Sequence, residues 1–544
     1  MNLRRILVLH FVSLFGMGLF YLATTPIFEG FDEIWHYSAV RQIAYQGKVT
    51  MRDDSYLDQM LFDYRGPLPY ESGSPPFERG PTYGKFVGDR ALGDAYVASY
   101  RDAVPPAGFE PSTETNNLYR QHPALYFAVL APVLKLAGGA SLVTQVFVLR
   151  LVSYLMALAG AALGLLAVFD RKGVVPAGQR APLLLGFLAY PLVAPMFFPE
   201  FARIGTDSLC LLLVGLLAYF MSRWLASNGA TKWALSMGVV IGIGLLTKAF
   251  FIPIAAAVFM YLVTPLVIRR TTGPIAANPL PTLAAIFLPA AAIGGGWYFY
   301  NQITYGSFSG SNLGIWLAQR GGLLARLEGT FSLVVFLRGI AATAVTYVWG
   351  GTQSLAHLPY ALYVPMLAAA AWLFVVYGVR LRRIPLRDPL WLSMWLVVFF
   401  TAGIFWHAVS NMAMGGNGNT PGWYFHILLP FLAPAVGIAV QAVLGRPRSG
   451  RLVVGFALYA AAFMVVASWF QLALFSGCAV KGDDKHYLFR SGAFCLDQAA
   501  TVIEGVRLFG YPALAAAGFI GWVGATLWLA IELRRGGELE CQTN

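Results

Sequence analysis

Charged side chains are scarce in this chain. Asp, Glu, Lys and Arg make up 12% of its 544 residues, about half their share in an average soluble domain. Hydrophobic residues make up 58%, and the mean hydropathy is +0.62. This composition excludes an ordinary soluble enzyme and predicts an all-α polytopic membrane protein in contact with the lipid bilayer.

Acidic residues are the rarer of the two charge types, at 26 against 38 Lys and Arg, so the net charge is +12. The basic residues fall in short clusters between apolar runs and form no basic face of a folded domain. They therefore indicate membrane topology rather than nucleic-acid binding.

Several sequence motifs are also missing. There is no P-loop, no Rossmann glycine pattern, no nucleophile elbow and no Cys/His spacing for zinc. Their absence argues against ATP-driven transport by this chain alone and against a structural zinc site.

Apolar runs long enough to cross a bilayer predict about 12 transmembrane helices. They lie near 6–25, 141–168, 181–199, 206–225, 233–247, 249–268, 282–303, 359–379, 390–409, 424–443, 452–473 and 511–532. The first is interpreted as a retained helix rather than a signal peptide. The stretch 233–268 is the least regular, and a break at Thr247-Lys248 would divide it into two short helices.

Arg and Lys clusters orient this topology. They occur at 4–5, 171–180, 223–232, 269–270, 380–387, 446–451 and 534–535, all on one side if the twelve spans cross. The positive-inside rule makes that side cytoplasmic, with both termini, in an inner membrane. Counting 123–138 and 328–347 as further crossings would break the pattern, so we expect interfacial helices on the outer surface there. A kinked pair of short spans is the alternative for the second.

Four outer loops follow from this topology, at 28–121, 304–358, 410–422 and 474–509. The first is too long for a simple connector, and loops of that length usually carry function. Cys478 and Cys495 share the last loop in an oxidising location, which predicts a structural disulfide. Two free thiols are the alternative.

The first loop opens with Phe28-Glu29-Gly30-Phe31-Asp32-Glu33-Ile34-Trp35-His36. Ionised groups at a membrane boundary are costly, which makes this stretch a candidate site. On the predicted juxtamembrane helix, Asp32 and His36 stand at i and i+4 on one face. A helix cap and first-turn carboxylate is the alternative interpretation of Asp32 and Glu33.

Together with later motifs, this opening resembles the GT-C glycosyltransferases, in particular the protein O-mannosyltransferase and lipid A aminoarabinose transferase branch. The segment 121–126, Gln-His-Pro-Ala-Leu-Tyr, is similar to the family's His-Pro-Pro-Leu-Tyr. The segment 203–208, Arg-Ile-Gly-Thr-Asp-Ser, is similar to its outer loop with an aspartate at a helix start. The segment 244–248, Gly-Leu-Leu-Thr-Lys, and the run 422–430, with Trp423 in place of an arginine, match two further stretches.

The resemblance covers roughly the first 430 residues. It implies a GT-C-like catalytic region over 1–443 and a C-terminal helical region over 444–544. It also implies transfer of a monosaccharide from a polyprenyl-phosphate donor to an acceptor hydroxyl on the outer face, usually with inversion. The acceptor is a glycan, a lipid or a protein, and the sugar a hexose or a pentose. Asp32 matches the family's catalytic aspartate, so we expect it to be the general base, with Glu33 as alternative base or supporting partner.

The departing phosphate needs cations or hydrogen-bond donors. Lys248, within an apolar context, is the first candidate, and snorkelling to the interface is the alternative. The other substrate-binding candidates are His36, His122, Arg203, Asp207, Tyr424 and His426. For Arg203 and Asp207 the alternative is an ion pair with Glu200 and a helix cap. For His36 it is a place in a helix interface, and for Tyr424 it is interfacial anchoring. Weaker phosphate candidates are Arg41, Lys85 and Arg101.

Asp32, Asp207 and a histidine could hold a divalent cation, Mg or Mn, because such ions prefer oxygen ligands. No spacing of ligands in the sequence decides whether the protein binds a metal. Two other functions stay open: a lipid-linked glycan flippase, and an O-antigen-type polymerase or ligase. A flippase would be expected to show inverted repeats and mid-membrane charges. A polymerase or ligase would be expected to depend on a large late outer loop.

Overall fold

The computed structural model describes residues 3–47, 52–67, 82–169, 177–267, 279–355, 357–386, 388–444, 449–481 and 487–542. Across these ranges the chain is overwhelmingly α-helical, and its strands form two small two-stranded sheets. The predicted all-α class is confirmed. Parts of the first and last outer loops, 48–51, 68–81 and 482–486, lie outside the described residues.

The α-helices within these ranges, in chain order, are α1 (Leu3–Thr24), α2 (Glu33–Gln46), α3 (Gln59–Phe62), α4 (Tyr83–Gly88), α5 (Arg90–Tyr96), α6 (Leu125–Leu136), α7 (Leu142–Phe169), α8 (Ala177–Val193), α9 (Phe197–Phe201), α10 (Asp207–Ala226), α11 (Thr231–Leu245), α12 (Phe251–Val267), α13 (Pro279–Tyr305), α14 (Asn312–Ala318), α15 (Gly322–Thr330), α16 (Leu333–Val348), α17 (Val364–Leu381), α18 (Leu390–Ala413), α19 (Leu429–Leu444), α20 (Ser449–Phe475), α21 (Ala499–Phe509) and α22 (Pro512–Gln542). A 3₁₀ segment, Gly422–Leu428, leads into α19.

Nine helices in the described ranges are long and apolar enough to cross a membrane: α1, α7, α10, α13, α17, α18, α19, α20 and α22. All twelve predicted spans contain a helix, but α11, α12 and the apolar part of α8 have at most 17 residues. The predicted break is present, because α11 ends at Leu245 and α12 begins at Phe251, with Thr247 and Lys248 between them. The chain is a multi-pass membrane protein.

The two segments expected on the outer surface behave differently. The segment 123–138 forms the short helix α6. The segment 328–347 is divided between α15 and α16, which meet at an angle of 107°, so a bent pair replaces a single interfacial helix. Several basic residues that oriented the topology, at 171, 172, 269, 270, 387, 446 and 448, lie outside the described residues, and the orientation stays a prediction.

Glycines allow the first and last helices to pack closely. Helix α1 packs along α22, and a Cβ atom on Gly16 would lie 2.7 Å from the backbone nitrogen of Trp522. A Cβ atom on Gly518 would lie 2.7 Å from the carbonyl oxygen of Gly16. Small residues that let backbones approach are the usual means of packing helices in a bilayer. The first and last helices are thereby joined.

The outer loops are tied down by short strands and by a disulfide. In the first loop β1 (Tyr56–Asp58) pairs antiparallel with β2 (Pro111–Asn116). In the last loop β3 (Ala479–Lys481) pairs antiparallel with β4 (Tyr487–Phe489). Cys478 and Cys495, the pair singled out in the sequence, form a disulfide with Cα atoms 6.2 Å apart. The helix α2 of the first loop is almost wholly buried and carries the candidate site.

Candidate active site

The acidic stretch forms a tight turn between α1 and α2. Asp32 adopts a left-handed conformation, with φ of 57° and ψ of 16°, which aspartate tolerates better than most residues. Its backbone N–H donates to Oε1 of Gln353 at 3.0 Å. A Cβ atom on Gly30 would lie 2.8 Å from Cβ of Arg203, so only glycine lets these two segments approach. The turn is held from both sides.

The Asp32 carboxylate is oriented by one phenol. Tyr119 donates its hydroxyl hydrogen to Oδ2 of Asp32 at 3.0 Å. Among the described residues this is the one side-chain donor to the carboxylate, and Asp32 also lines a large cavity. The other carboxylate oxygen is left for a ligand. Tyr119 was not singled out from the sequence, although it lies three residues before the His122 motif.

Glu33, the neighbouring carboxylate, is engaged in the protein interior. It is 1% exposed, and Nε of Arg150 donates to its Oε1 at 2.7 Å while Nη2 donates to Oε2. The guanidinium also donates to the carbonyls of Thr25 and Pro26, at 2.6 and 2.7 Å. The backbone N–H of Ile204 donates to Oε1 of Glu33 at 3.1 Å. This pair ties the α1–α2 turn to α7 and to the segment before α10.

Arg150 was missed from the sequence because it lies inside a predicted span. The available signal was its charge, since an ionisable residue within a membrane helix is a functional or structural partner by default.

A second charge cluster lies beneath the turn. Arg203 donates to both oxygens of Glu200, to Oδ2 of Asp207 at 3.1 Å, and through Nη1 to the carbonyl of Phe31 at 2.9 Å. Nζ of Lys248 lies 2.9 and 3.2 Å from the two oxygens of Asp207. All four side chains are buried. The predicted pairing of Arg203 with Glu200 and Asp207 is present, and Lys248 is part of the same cluster.

Lys248 reaches this cluster from the break between α11 and α12. Its ammonium lies 4.1 Å from the ring centroid of Phe250 and 4.5 Å from that of Tyr424. These aromatic faces stabilise a cation by their quadrupoles. The side chain also lines the cavity.

The two histidines nearest the turn occupy different positions. His36 is 1% exposed and its ring lies 3.8 Å from that of Tyr119. Burial holds the pKa of His36 well below its usual range, so the ring is neutral and packs behind the phenol. His122 lines the cavity, and burial lowers its pKa to about 3, with the Lys248 charge adding to the effect.

In the 3₁₀ segment before α19, one predicted site residue lines the cavity and the others pack in the protein interior. Tyr424 lines the cavity. Trp423, in the place of the family's arginine, stacks on Phe31 with ring centroids 4.1 Å apart. His426 lies 3.0 Å from the hydroxyl of Tyr190 and 3.1 Å from the carbonyl of Tyr347.

The weaker phosphate candidates lie elsewhere. Arg41 is buried and donates to Oδ2 of Asp58 at 2.7 Å, which stabilises the first loop. Lys85 is exposed, and Arg101 lies 3.7 Å from Asp102. The described lining of the cavity includes none of the three, nor His36, Arg203 or His426.

Glu29 is a buried carboxylate that sequence reasoning left without a role. It accepts hydrogen bonds from the hydroxyls of Tyr83 and Thr352, both at 2.6 Å, and from the backbone and side chain of Ser354. Burial raises its pKa. Glu29 thus anchors the segment that carries Gln353, which holds Asp32.

The cavity has a volume of about 670 Å³, within the range of small-molecule sites. Asp32, Lys248, His122 and Tyr424 share its wall. The remaining described lining comes mainly from the start of α12, the C-terminal half of α18 and the segment 306–323, and it is largely apolar.

The predicted metal site gains little support from this donor set. Among the described residues no group of three or more His, Cys, Asp or Glu side chains is placed to hold a metal ion. Asp207 already accepts from Lys248 and Arg203, so a divalent ion there would face two positive charges at short range.

No protein-family model matches the chain, and no curated protein matches it in sequence. Among solved structures it is similar to ArnT from Cupriavidus metallidurans bound to undecaprenyl phosphate, with a TM-score of 0.40 and 15% identity over 82% of this chain and 72% of ArnT. It is also similar to the apo state of ArnT, with a TM-score of 0.38 and 14% identity over 86% and 73% of the two chains. At these TM-scores and identities the similarity concerns the backbone fold and supports no statement about activity.

Proposed function

We propose that the protein is a membrane glycosyltransferase that moves a monosaccharide from a polyprenyl-phosphate donor to an acceptor hydroxyl, with Asp32 as the general base. One observation carries the proposal. The Asp32 carboxylate and the Lys248 ammonium share the wall of one otherwise mostly apolar cavity. Such a cavity combines a proton acceptor, a phosphate partner and a surface for a lipid chain.

The reaction is a single displacement at the anomeric carbon. The acceptor oxygen forms a bond to this carbon while its proton passes to the Asp32 carboxylate. The bond from the anomeric carbon to the phosphate oxygen breaks, and polyprenyl phosphate leaves with the electron pair. General-base catalysis of this kind contributes typically 10²–10⁴-fold in rate.

The departing phosphate is stabilised by Lys248. An ammonium has three N–H donors, and Asp207 occupies it through one carboxylate. A donor therefore remains for a phosphate oxygen. The ammonium and the phosphate attract each other more strongly in a cavity that excludes part of the water than they would in bulk water.

The count of carboxylates favours inversion. Among the described lining residues Asp32 is the one carboxylate. A double displacement needs a second carboxylate as nucleophile, as in retaining glycosidases. Glu33 does not fill that role because both of its oxygens face Arg150.

The remaining site residues position these two groups. Tyr119, backed by His36, orients the Asp32 carboxylate. Arg203 fixes the backbone of Phe31 and so the turn. Neutral His122 and the hydroxyl of Tyr424 lie in the cavity wall, where they can hydrogen-bond the sugar or the phosphate.

The apolar lining supplies a route for the lipid chain. The lining includes Phe250, Ile252 and Pro253 at the start of α12 and, packed beside them, Phe400 and Gly403 of α18. Trp406 is 63% exposed, which places an open rim beside it. The lipid would enter there from the bilayer, and the cavity would face the outer side of an inner membrane.

The test compares purified wild type with Asp32→Asn on radiolabelled polyprenyl-phosphate sugars, with and without EDTA. Asparagine keeps the side-chain shape and tolerates the left-handed backbone, so the fold is retained while the base is lost. We expect transfer to fall about 100- to 10,000-fold with unchanged lipid-phosphate binding. Lys85→Met, on the exposed loop, is the control.

Equal transfer by both proteins would refute the assignment of the base. Lipid scrambling without transfer would favour a flippase, and transfer only from diphosphate-linked donors would favour a polymerase or ligase. Loss of transfer in EDTA, restored by Mg or Mn, would establish a metal requirement.

A further inference from the structure

The polar lining of the cavity is almost entirely uncharged. Among the described lining residues, Asp32 and Lys248 are the only Asp, Glu, Lys or Arg side chains. Under the proposed function both have a task, at the acceptor hydroxyl and at the phosphate. The other side chains there that can hydrogen-bond a ligand carry a hydroxyl, an amide, an imidazole or an indole.

Three of these neutral groups lie together at the outer end of α18. His407 and Ser410 are three residues apart and share a helix face. Nδ1 of His407 lies 3.0 Å from Oγ1 of Thr420, which follows in the next loop. All three line the cavity.

Ser410 points to a ligand independently. It is 1% exposed, and within the described part of the chain its Oγ has no hydrogen-bond partner. A buried hydroxyl left without a partner destabilises the protein. A hydrogen bond from a ligand hydroxyl in the cavity would remove that destabilisation.

The distance from the phosphate end suits a sugar. Lys248 lies against Phe250, whose ring centroid is 5.3 Å from that of Phe400 on α18. His407 follows Phe400 by seven residues, two turns and about 10 Å further along the same face. A phosphate with its attached sugar ring fills a span of this length.

We propose that His407, Ser410 and Thr420 form a hydroxyl-binding subsite for the transferred sugar, and that the cavity selects an uncharged sugar. The inference rests on the proposed function and adds the class of sugar to it. Neutral donors and acceptors match sugar hydroxyls in both directions. An ammonium or carboxylate on the sugar would lose its hydration without gaining a counter-charge at this subsite.

The experiment measures binding to the purified full-length protein of four probes that share one lipid. These are undecaprenyl phosphate alone and undecaprenyl phosphate carrying glucose, glucosamine or glucuronic acid. We expect glucose to strengthen binding over the bare lipid phosphate. Glucosamine and glucuronic acid should bind at least threefold more weakly than glucose.

The glucose increment is the factor by which the attached glucose strengthens binding over undecaprenyl phosphate alone. Ser410→Ala and Thr420→Val should each lower it about three- to tenfold, which is the usual contribution of a neutral hydrogen bond. Binding of undecaprenyl phosphate alone should not change. Ser236→Ala and Thr264→Val are matched controls, because each hydroxyl bonds a carbonyl of its own helix. Ser410→Asp should shift the preference toward glucosamine.

The outcomes separate the two proposals. If undecaprenyl phosphate does not bind and no sugar is transferred, the proposed function is wrong and the subsite falls with it. If the lipid phosphate binds but glucosamine or glucuronic acid matches glucose, only the selection of a neutral sugar is refuted. An unchanged glucose increment in both Ser410→Ala and Thr420→Val would refute the subsite.

Discussion

Lys248→Met removes the ammonium from the cavity while keeping a long unbranched side chain between Phe250 and Tyr424. A hydrogen bond to a charged group is worth about 1.5–3 kcal/mol. At about 1.4 kcal/mol per factor of ten, the variant should bind undecaprenyl phosphate about 10- to 150-fold more weakly. The exposed Lys85 on the first loop provides Lys85→Met as a matched control with no expected effect.

Asp207→Asn should change lipid-phosphate binding in the opposite direction. The carboxylate holds Lys248 through two contacts, at 2.9 and 3.2 Å, and competes with phosphate for the ammonium. With a neutral amide in its place, binding should tighten several-fold. The ligand-free protein should become less stable, because removing one partner of a buried ion pair costs about 3–5 kcal/mol.

The double variant Lys248→Met with Asp207→Asn completes a cycle. It should recover part of the stability lost in Asp207→Asn, since no buried ammonium is then left with a weakened partner. Binding is measured by titration of undecaprenyl phosphate in detergent, and stability by the apparent melting temperature. Weaker binding in Asp207→Asn, or unchanged binding in Lys248→Met, would refute the reasoning.

Two further predictions concern the support of the turn. Glu33→Gln and Arg150→Met should each destabilise the protein by about 3–5 kcal/mol, as expected for a broken buried ion pair. The Glu33→Gln protein that does fold should keep most of its transfer activity. If it folds but transfers no sugar while Asp32→Asn stays active, Glu33 is the base. Burial holds the pKa of His36 below its usual value, so the folded state disfavours its protonation and stability should fall as the pH drops below about 6.5, by up to about 1.4 kcal/mol per pH unit. His36→Phe should flatten that slope, which melting temperatures at pH 7.5 and 5.5 would show; an identical slope in the variant would contradict the assignment.

Much of the fold was readable from local sequence. Hydropathy located a helix at each of the twelve predicted spans, and the polar pair Thr247-Lys248 marked the break between α11 and α12. The three short helices differ from the expectation of full spans because the apolar stretch alone does not show where a helix ends. A kinked pair at 328–347 was only an alternative prediction for the same reason, and the structure has a 107° bend there between α15 and α16.

The candidate site was only partly predictable. Asp32, Lys248, His122 and Tyr424 were named from motifs, and the structure places them in one cavity wall. The partner of Glu33 was not predictable, because Arg150 follows it by 117 residues. Tyr119 and Gln353 escaped notice because a single tyrosine or glutamine in a loop carries no pattern.

The sequence by itself determined that the protein is a membrane protein and that its polar groups lie near the ends of the helices. Hydropathy shows this because it is read from residues that are adjacent in the chain. The sequence favoured Asp32 over the adjacent Glu33 only through a resemblance of motifs and left Glu33 as the alternative. The tertiary structure alone shows where each carboxylate lies. The left-handed turn at Asp32 leaves one carboxylate in the cavity, and Arg150, brought from a distant helix, holds the other in the interior. Contacts between residues far apart in the chain thus set which carboxylate faces the cavity.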